Sequence, residues 1–198
     1  MRKKVRGFTI LELIITLSLT VIVLGVVYTF FLSNSKTLAK TEINSDLQLE
    51  AEGIQKELLL YGTQAKEIVK INDVIITNSN KYNYDGVLDS DGKLDITDLR
   101  LKVGDEYFAF IYNASEKLLT LNKVRGDGLG SSSSDLNLLK ELSKNVTDFK
   151  IRPLDYRMNP NGNFKDATAL EISLILNKKK GYSDVTIPVS TIVKLRNK

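Results

Sequence analysis

Cysteine and histidine, two residue types that carry much of protein chemistry, are missing from this chain. Without cysteine there is no disulfide staple, no thiolate nucleophile and no Cys-based zinc site. Without histidine the commonest general base and metal ligand is gone, and with it the usual catalytic triads. Neither a P-loop nor a dinucleotide-binding glycine motif occurs, so the chain has no signature of a nucleotide-driven motor. Carboxylate pairs are present but sit in turn-rich pieces, where nothing raises one pKa above the other. The chain is expected not to be an enzyme and to need no cofactor, with calcium, described below, as the one exception. Proline is also scarce, and none precedes Pro153. Nothing therefore forces a break in a helix before that point.

An excess of one charge is missing too, once the first residues are set aside. The 28 Lys+Arg and 24 Asp+Glu give a net charge of +4. Arg2, Lys3, Lys4 and Arg6 account for all of it, and the rest of the chain is formally neutral. The basic pI of about 9.1 is thus a local feature. It would hold the amino terminus on the cytoplasmic side of a membrane. It does not describe a nucleic-acid-binding face.

The last of those four charges opens the run RGFTILELIITLSLTVIVLGVVYTFF. From Leu13 to Leu32 no residue is charged, close to the ~20 apolar residues that cross a bilayer as a helix. A secretory signal has a shorter apolar core followed by small residues at a cleavage site, and neither is seen here. Glu12 stands at the edge of this run. An acid there can snorkel to the interface, but a buried unpaired carboxylate costs a few kcal/mol on insertion scales, about 3. A partner is the better reading. Cutting between Gly7 and Phe8 would give Phe8 a new α-amino group, and Glu12 could pair with such an amine on a neighbouring subunit.

RKKVRGFTILELIITL resembles the class III signal of type IV pilins and pseudopilins: a short basic leader ending in glycine, then phenylalanine, then a glutamate four residues on at the head of an apolar helix. The resemblance implies cleavage after Gly7 by a prepilin peptidase, N-methylation of Phe8, and recruitment of subunits through Glu12. It implies as partners other pilin or pseudopilin subunits, the prepilin peptidase/methyltransferase and an inner-membrane assembly platform. It also implies a single-pass precursor in the cytoplasmic membrane, then an extracellular filament. The run FKIRPLDY, a turn-rich insert, ALEISLIL and a last strand ending VKLRN resembles the larger minor pilins and the minor pseudopilin called J, or W in pilus systems.

The helical pattern outlasts the apolar run. Ile43, Leu47, Ala51, Ile54, Leu58, Tyr61, Ala65 and Ile68 alternate at spacings of four and three, which makes one stripe on a helix. The spacing predicts a helix over Phe8–Val69, its first half in membrane or filament core and its second against a head; a coiled-coil seam is the alternative. Strands are predicted at Val74–Thr77, Leu99–Val103, Tyr107–Tyr112, Leu118–Val124, Phe149–Leu154, Leu170–Leu176 and Val185–Leu195. Leu136–Leu142 reads as a short helical turn. The expected fold is α+β, a long N-terminal helix packed on an antiparallel β-sheet head in a pilin-like roll. Its parts would be a leader (1–7), a transmembrane or filament-core helix (8–32), an amphipathic continuation (33–70) and a β-rich head (71–198).

Three short stretches invite a functional reading. In YDGVLDSDGKLDITD, Asp89, Asp91, Asp95 and Asp98 approach an EF-hand-like spacing that would suit calcium. The first ligand position falls on Val87, however, and a D-G turn with solvated acids explains the stretch more simply. Lys178, Lys179 and Lys180 form one short basic run, equally well a solvated hairpin. RGDGLGSSSSD reads as a mobile loop. The expected function is a minor pilin or pseudopilin, a structural subunit acting in filament initiation or at a tip. A type II secretion or competence pseudopilin is the alternative within the family, and a monomeric single-span surface binding protein the alternative outside it.

Overall fold

The computed structural model describes residues 8–126, 129, 135–181 and 183–196. Among these residues one helix, α1 (Ile10–Gln64), is 55 residues long, about 80 Å at 1.5 Å per residue. Ten strands come after it: β1 (Ala65–Ile71), β2 (Val74–Ile75), β3 (Leu94–Asp95), β4 (Asp98–Val103), β5 (Glu106–Asn113), β6 (Leu118–Val124), β7 (Leu136–Ser143), β8 (Val146–Pro153), β9 (Ala169–Lys180) and β10 (Ser183–Lys194). They form a six-stranded sheet, β2-β1-β4-β5-β6-β7, and a four-stranded sheet, β10-β9-β8-β3. All named pairings are antiparallel. The fold is α+β, as the change from helical to alternating periodicity implied.

The second half of α1 buries Ile43, Leu47, Ala51, Ile54, Leu58 and Gly62. The apolar side chains among them share a single core with Phe108, Phe110 and Leu121 of one sheet and Leu174, Val189 and Val193 of the other. Tyr61 was expected on this stripe. It is half-buried beside it, with its ring 4.5 Å from that of Phe108. Gly62 takes the innermost place, because a Cβ there would fall inside the Val193 side chain. Gly62→Ala should therefore destabilise the protein by about 1–3 kcal/mol through overpacking, even though alanine favours a helix by about 1 kcal/mol. Thermal melts of the full chain in detergent should show this loss, with recovery when Val193→Ala is added.

The helix stops at Gln64, five residues before the expected end. Ala65 and Ile68 are buried as the stripe requires, but in a strand. Two bulges in the pairing of β1 with β4, between Ala65 and Glu67 and between Ile68 and Lys70, explain it. Each bulge inserts one residue, so Ala65, Ile68 and Ile71 return to one face at a spacing of three. They lie opposite Val103, Leu101 and Leu99. A β-branched run and long-range pairing win over helical spacing. Leu136–Leu142, expected to be a helical turn, is instead strand β7, held by pairing with β6. Here too tertiary pairing overrides local propensity.

Candidate functional site

Every residue from 8 to 38 is exposed, including all the large apolar side chains of the amino-terminal segment. Among the described residues, nothing in the head covers them. Within this segment four hydroxyls are satisfied locally: Thr16, Ser18, Thr20 and Thr29 donate to carbonyls three or four residues back, at 2.7–3.1 Å. A helix with its own backbone satisfied is one of the few structures that lipid accepts. The same stretch is long and apolar enough to cross a membrane.

The helix begins on a capping box. The Glu12 backbone N–H donates to Thr9 Oγ1 at 3.2 Å, and the Thr9 N–H donates to Glu12 Oε2 at 3.3 Å. Two of the amide donors left over at the helix start are thereby satisfied, and the Glu12 carboxylate sits at the positive end of the helix dipole. Thr9 is the one residue here that sequence reasoning missed, although T-x-x-E before an apolar run is the signature of this cap. In the single chain Glu12 is thus an exposed N3 residue folded back on Thr9, one turn beyond Phe8. Gly7 and the leader 1–7 lie outside the described residues.

Beyond the uncharged segment the solvent side of α1 keeps an apolar line. Leu38, Leu49 and Leu60 are 70%, 67% and 45% exposed. They are spaced by eleven residues, a repeat that returns to nearly the same side of a helix after three turns. That side is opposite Ile43, Leu47, Ile54 and Leu58. The line continues the exposed apolar segment along the back of the head-bearing half.

The four aspartates with EF-hand-like spacing are not gathered around one point. Asp89 Oδ1 accepts from the backbone N–H groups of Lys93 and Asp91, at 2.8 and 3.0 Å. Those bonds, the first from Lys93, hold its carboxyl below the usual carboxylate range. Asp95 pairs with Lys150 at 3.1 Å and raises the lysine's pKa. Asp98 faces the other way, on β4, and pairs with Arg100 at 2.9 Å and Lys70 at 3.5 Å. Asp91 lies in the turn between Asp89 and Lys93. Among the described residues no three acidic side chains are grouped so as to hold a metal ion. Of the RGDGLGSSSSD stretch, residues 127, 128 and 130–134 lie outside the described residues, as does Asn197 of the VKLRN ending.

Residues 2–28 match the model of the prokaryotic N-terminal methylation motif. No curated protein and no solved structure matches the chain. The motif is the type IV pilin signal, and it supports a type IV pilin or pseudopilin precursor. It implies processing by a prepilin peptidase and assembly with other pilins, and together with the apolar helix it fits membrane anchoring.

Proposed function

We propose that this chain is a minor subunit of a type IV pilus-like filament, cut after Gly7, methylated on Phe8 and acting at initiation or at a tip. The observation that carries the reading is the methylation motif on a helix whose apolar half is wholly exposed in the single chain. Exposed apolar area of this extent requires a partner, first lipid and then other helices. Helix packing between subunits would use the apolar segment from Leu13 to Phe31, and the line Leu38, Leu49, Leu60 would extend that contact along the head. Glu12 would set register by accepting the amine of a neighbour's Phe8. The head, with its two sheets, would present the surface that selects partners. Its size and lack of a disulfide loop fit a minor subunit better than a disulfide-looped major one.

The test is the mass of the amino-terminal peptide from native membranes and sheared filaments, with and without the prepilin peptidase. The expected peptide begins at N-methylated Phe8 and disappears from the peptidase mutant. A peptide that retains residues 1–7 in peptidase-competent cells would instead make this a plain anchored surface protein. The amount per filament, measured against the major subunit in the sheared fraction, should be small; stoichiometric amounts would exclude a minor role.

A further inference from the structure

The lysine run Lys178–Lys180 has no part in that reading, yet the fold puts it at a definite height above the membrane. β9 descends beside α1: Lys178 Nζ pairs with Asp46 at 3.0 Å and Lys180 Nζ with Glu42 at 2.9 Å. Two residues of strand and four of helix both span about 6 Å, so β9 runs antiparallel to the helix and toward the membrane. Glu42 is ten residues past Leu32, about 15 Å along the axis. Gly181, one residue beyond Lys180, therefore comes to roughly 12 Å from the hydrocarbon edge. The headgroup layer fills about 5–7 Å of that distance. The remaining gap is shorter than the Debye length of about 8–10 Å.

Two more lysines occupy the same notch. At about 100° per residue, Lys36 and Lys40 fall on the side of α1 that carries Ile43, Leu47 and Ile54 higher up. They are exposed and precede Ile43, the first buried residue of the stripe, by seven and three residues. The acids at this end are Glu42, Asp46 and Asp184, with Glu50 one turn above Asp46 and its charge still acting on Lys178. Asp184 stands opposite Lys179 in the β9–β10 register and accepts from Asn177 Nδ2 at 2.7 Å. Five lysines against four acids leave the underside positive. The two ion pairs to α1 are partly or fully exposed, a kind that is readily exchanged for another anion.

We infer that the end of β9, with Lys36 and Lys40, is a basic underside that docks the head on anionic phospholipid while the precursor is membrane-anchored. This rests on the membrane reading of α1. The lysines are spread along a strand and a helix rather than gathered around a point, so they suit a sheet of phosphate groups better than one soluble anion. Juxtamembrane basic segments are drawn to such surfaces by the same field. Docking would fix the head's tilt before the helix is withdrawn into a filament, and the exchangeable pairs to Glu42 and Asp46 would close again on release.

The absence of cysteine makes the test clean. Ser183→Cys, at the start of β10, and Ser33→Cys, at the end of the apolar segment, each carry a donor fluorophore in the full-length protein. The protein is placed in nanodiscs of phosphatidylcholine, alone or mixed with phosphatidylglycerol, with a headgroup-labelled acceptor. Energy transfer from Ser33→Cys should be high and equal in both lipids. Transfer from Ser183→Cys should rise with phosphatidylglycerol. That rise should vanish when Lys178, Lys179 and Lys180 are all replaced by glutamine, and in molar salt, where the Debye length is about 3 Å. Equal transfer from Ser183→Cys in both lipids, with Ser33→Cys still high, would overturn the docking. Low transfer from Ser33→Cys would overturn the membrane reading itself and the docking with it.

Discussion

Glu12→Gln is expected to leave α1 intact and to cut incorporation into filaments by roughly two orders of magnitude or more. The two effects separate because of the capping box. Glutamine serves at N3 of such a box as glutamate does, so the bond back to the Thr9 N–H survives. The charge is lost, and with it the pairing proposed for a neighbour's amine. In the assembled state that amine would be desolvated, and removing one partner of a buried pair costs about 3–5 kcal/mol. Each 1.4 kcal/mol is about tenfold in an equilibrium. Thr9→Val is the complementary change: it keeps the carboxylate and removes the cap, at about 1 kcal/mol, and should reduce incorporation far less. The measurement is the ratio of this subunit in sheared filaments to its membrane pool, with the peptide mass confirming cleavage in each variant. If Glu12→Gln assembled as well as the unaltered chain, the carboxylate would be only a helix cap, and another contact would have to set register.

Much of this arrangement was legible from residue spacing. The apolar run, the acid at its head and the stripe from Ile43 to Leu58 all come from local periodicity, and the structure keeps each of them. The strands Leu118–Val124 and Tyr107–Tyr112 were visible because alternation continued uninterrupted between clear turns. The illegible parts depended on partners distant in sequence. β1 looked helical because two bulges give its buried residues a spacing of three, and bulges are set by the pairing with β4. β3 has only two residues, too short for any periodic signal. Thr9 carried a local capping signal, but the stronger anomaly of a charge at Glu12 masked it. Asp98 was grouped with Asp89, Asp91 and Asp95 because they are neighbours along the chain. Nothing in that stretch announces that it pairs with Lys70 across the β1–β4 ladder.

That pairing makes Asp98 a polar position in the head where one substitution should cost as much as emptying part of the core. Lys70 and Arg100 are 4% and 2% exposed, and they are register partners on adjacent strands. Asp98 accepts from Arg100 Nε with both carboxylate oxygens, at 3.1 and 3.0 Å, and adds the ion pair to Lys70. Asp98→Ala leaves two cations buried side by side without that carboxylate, a loss of about 3–5 kcal/mol. For a chain of this size the melting temperature should fall by roughly 10 °C. Replacing Asp98, Lys70 and Arg100 together with leucine and methionines should recover most of the loss, because well-packed apolar groups often match a buried ionic cluster. A melting temperature unchanged in Asp98→Ala would show that the cluster contributes nothing net. The location gives the cluster a consequence beyond stability. β1 continues directly from α1, so a pull between a helix held in a filament and an exposed head is shared between the β1–β4 ladder and the packing of α1 on β10 and β9. Weakening Asp98 should therefore open the ladder next to the end of α1 under shear, and proteolysis of sheared material should cut near Gln64–Ala65 more readily than in the unaltered chain.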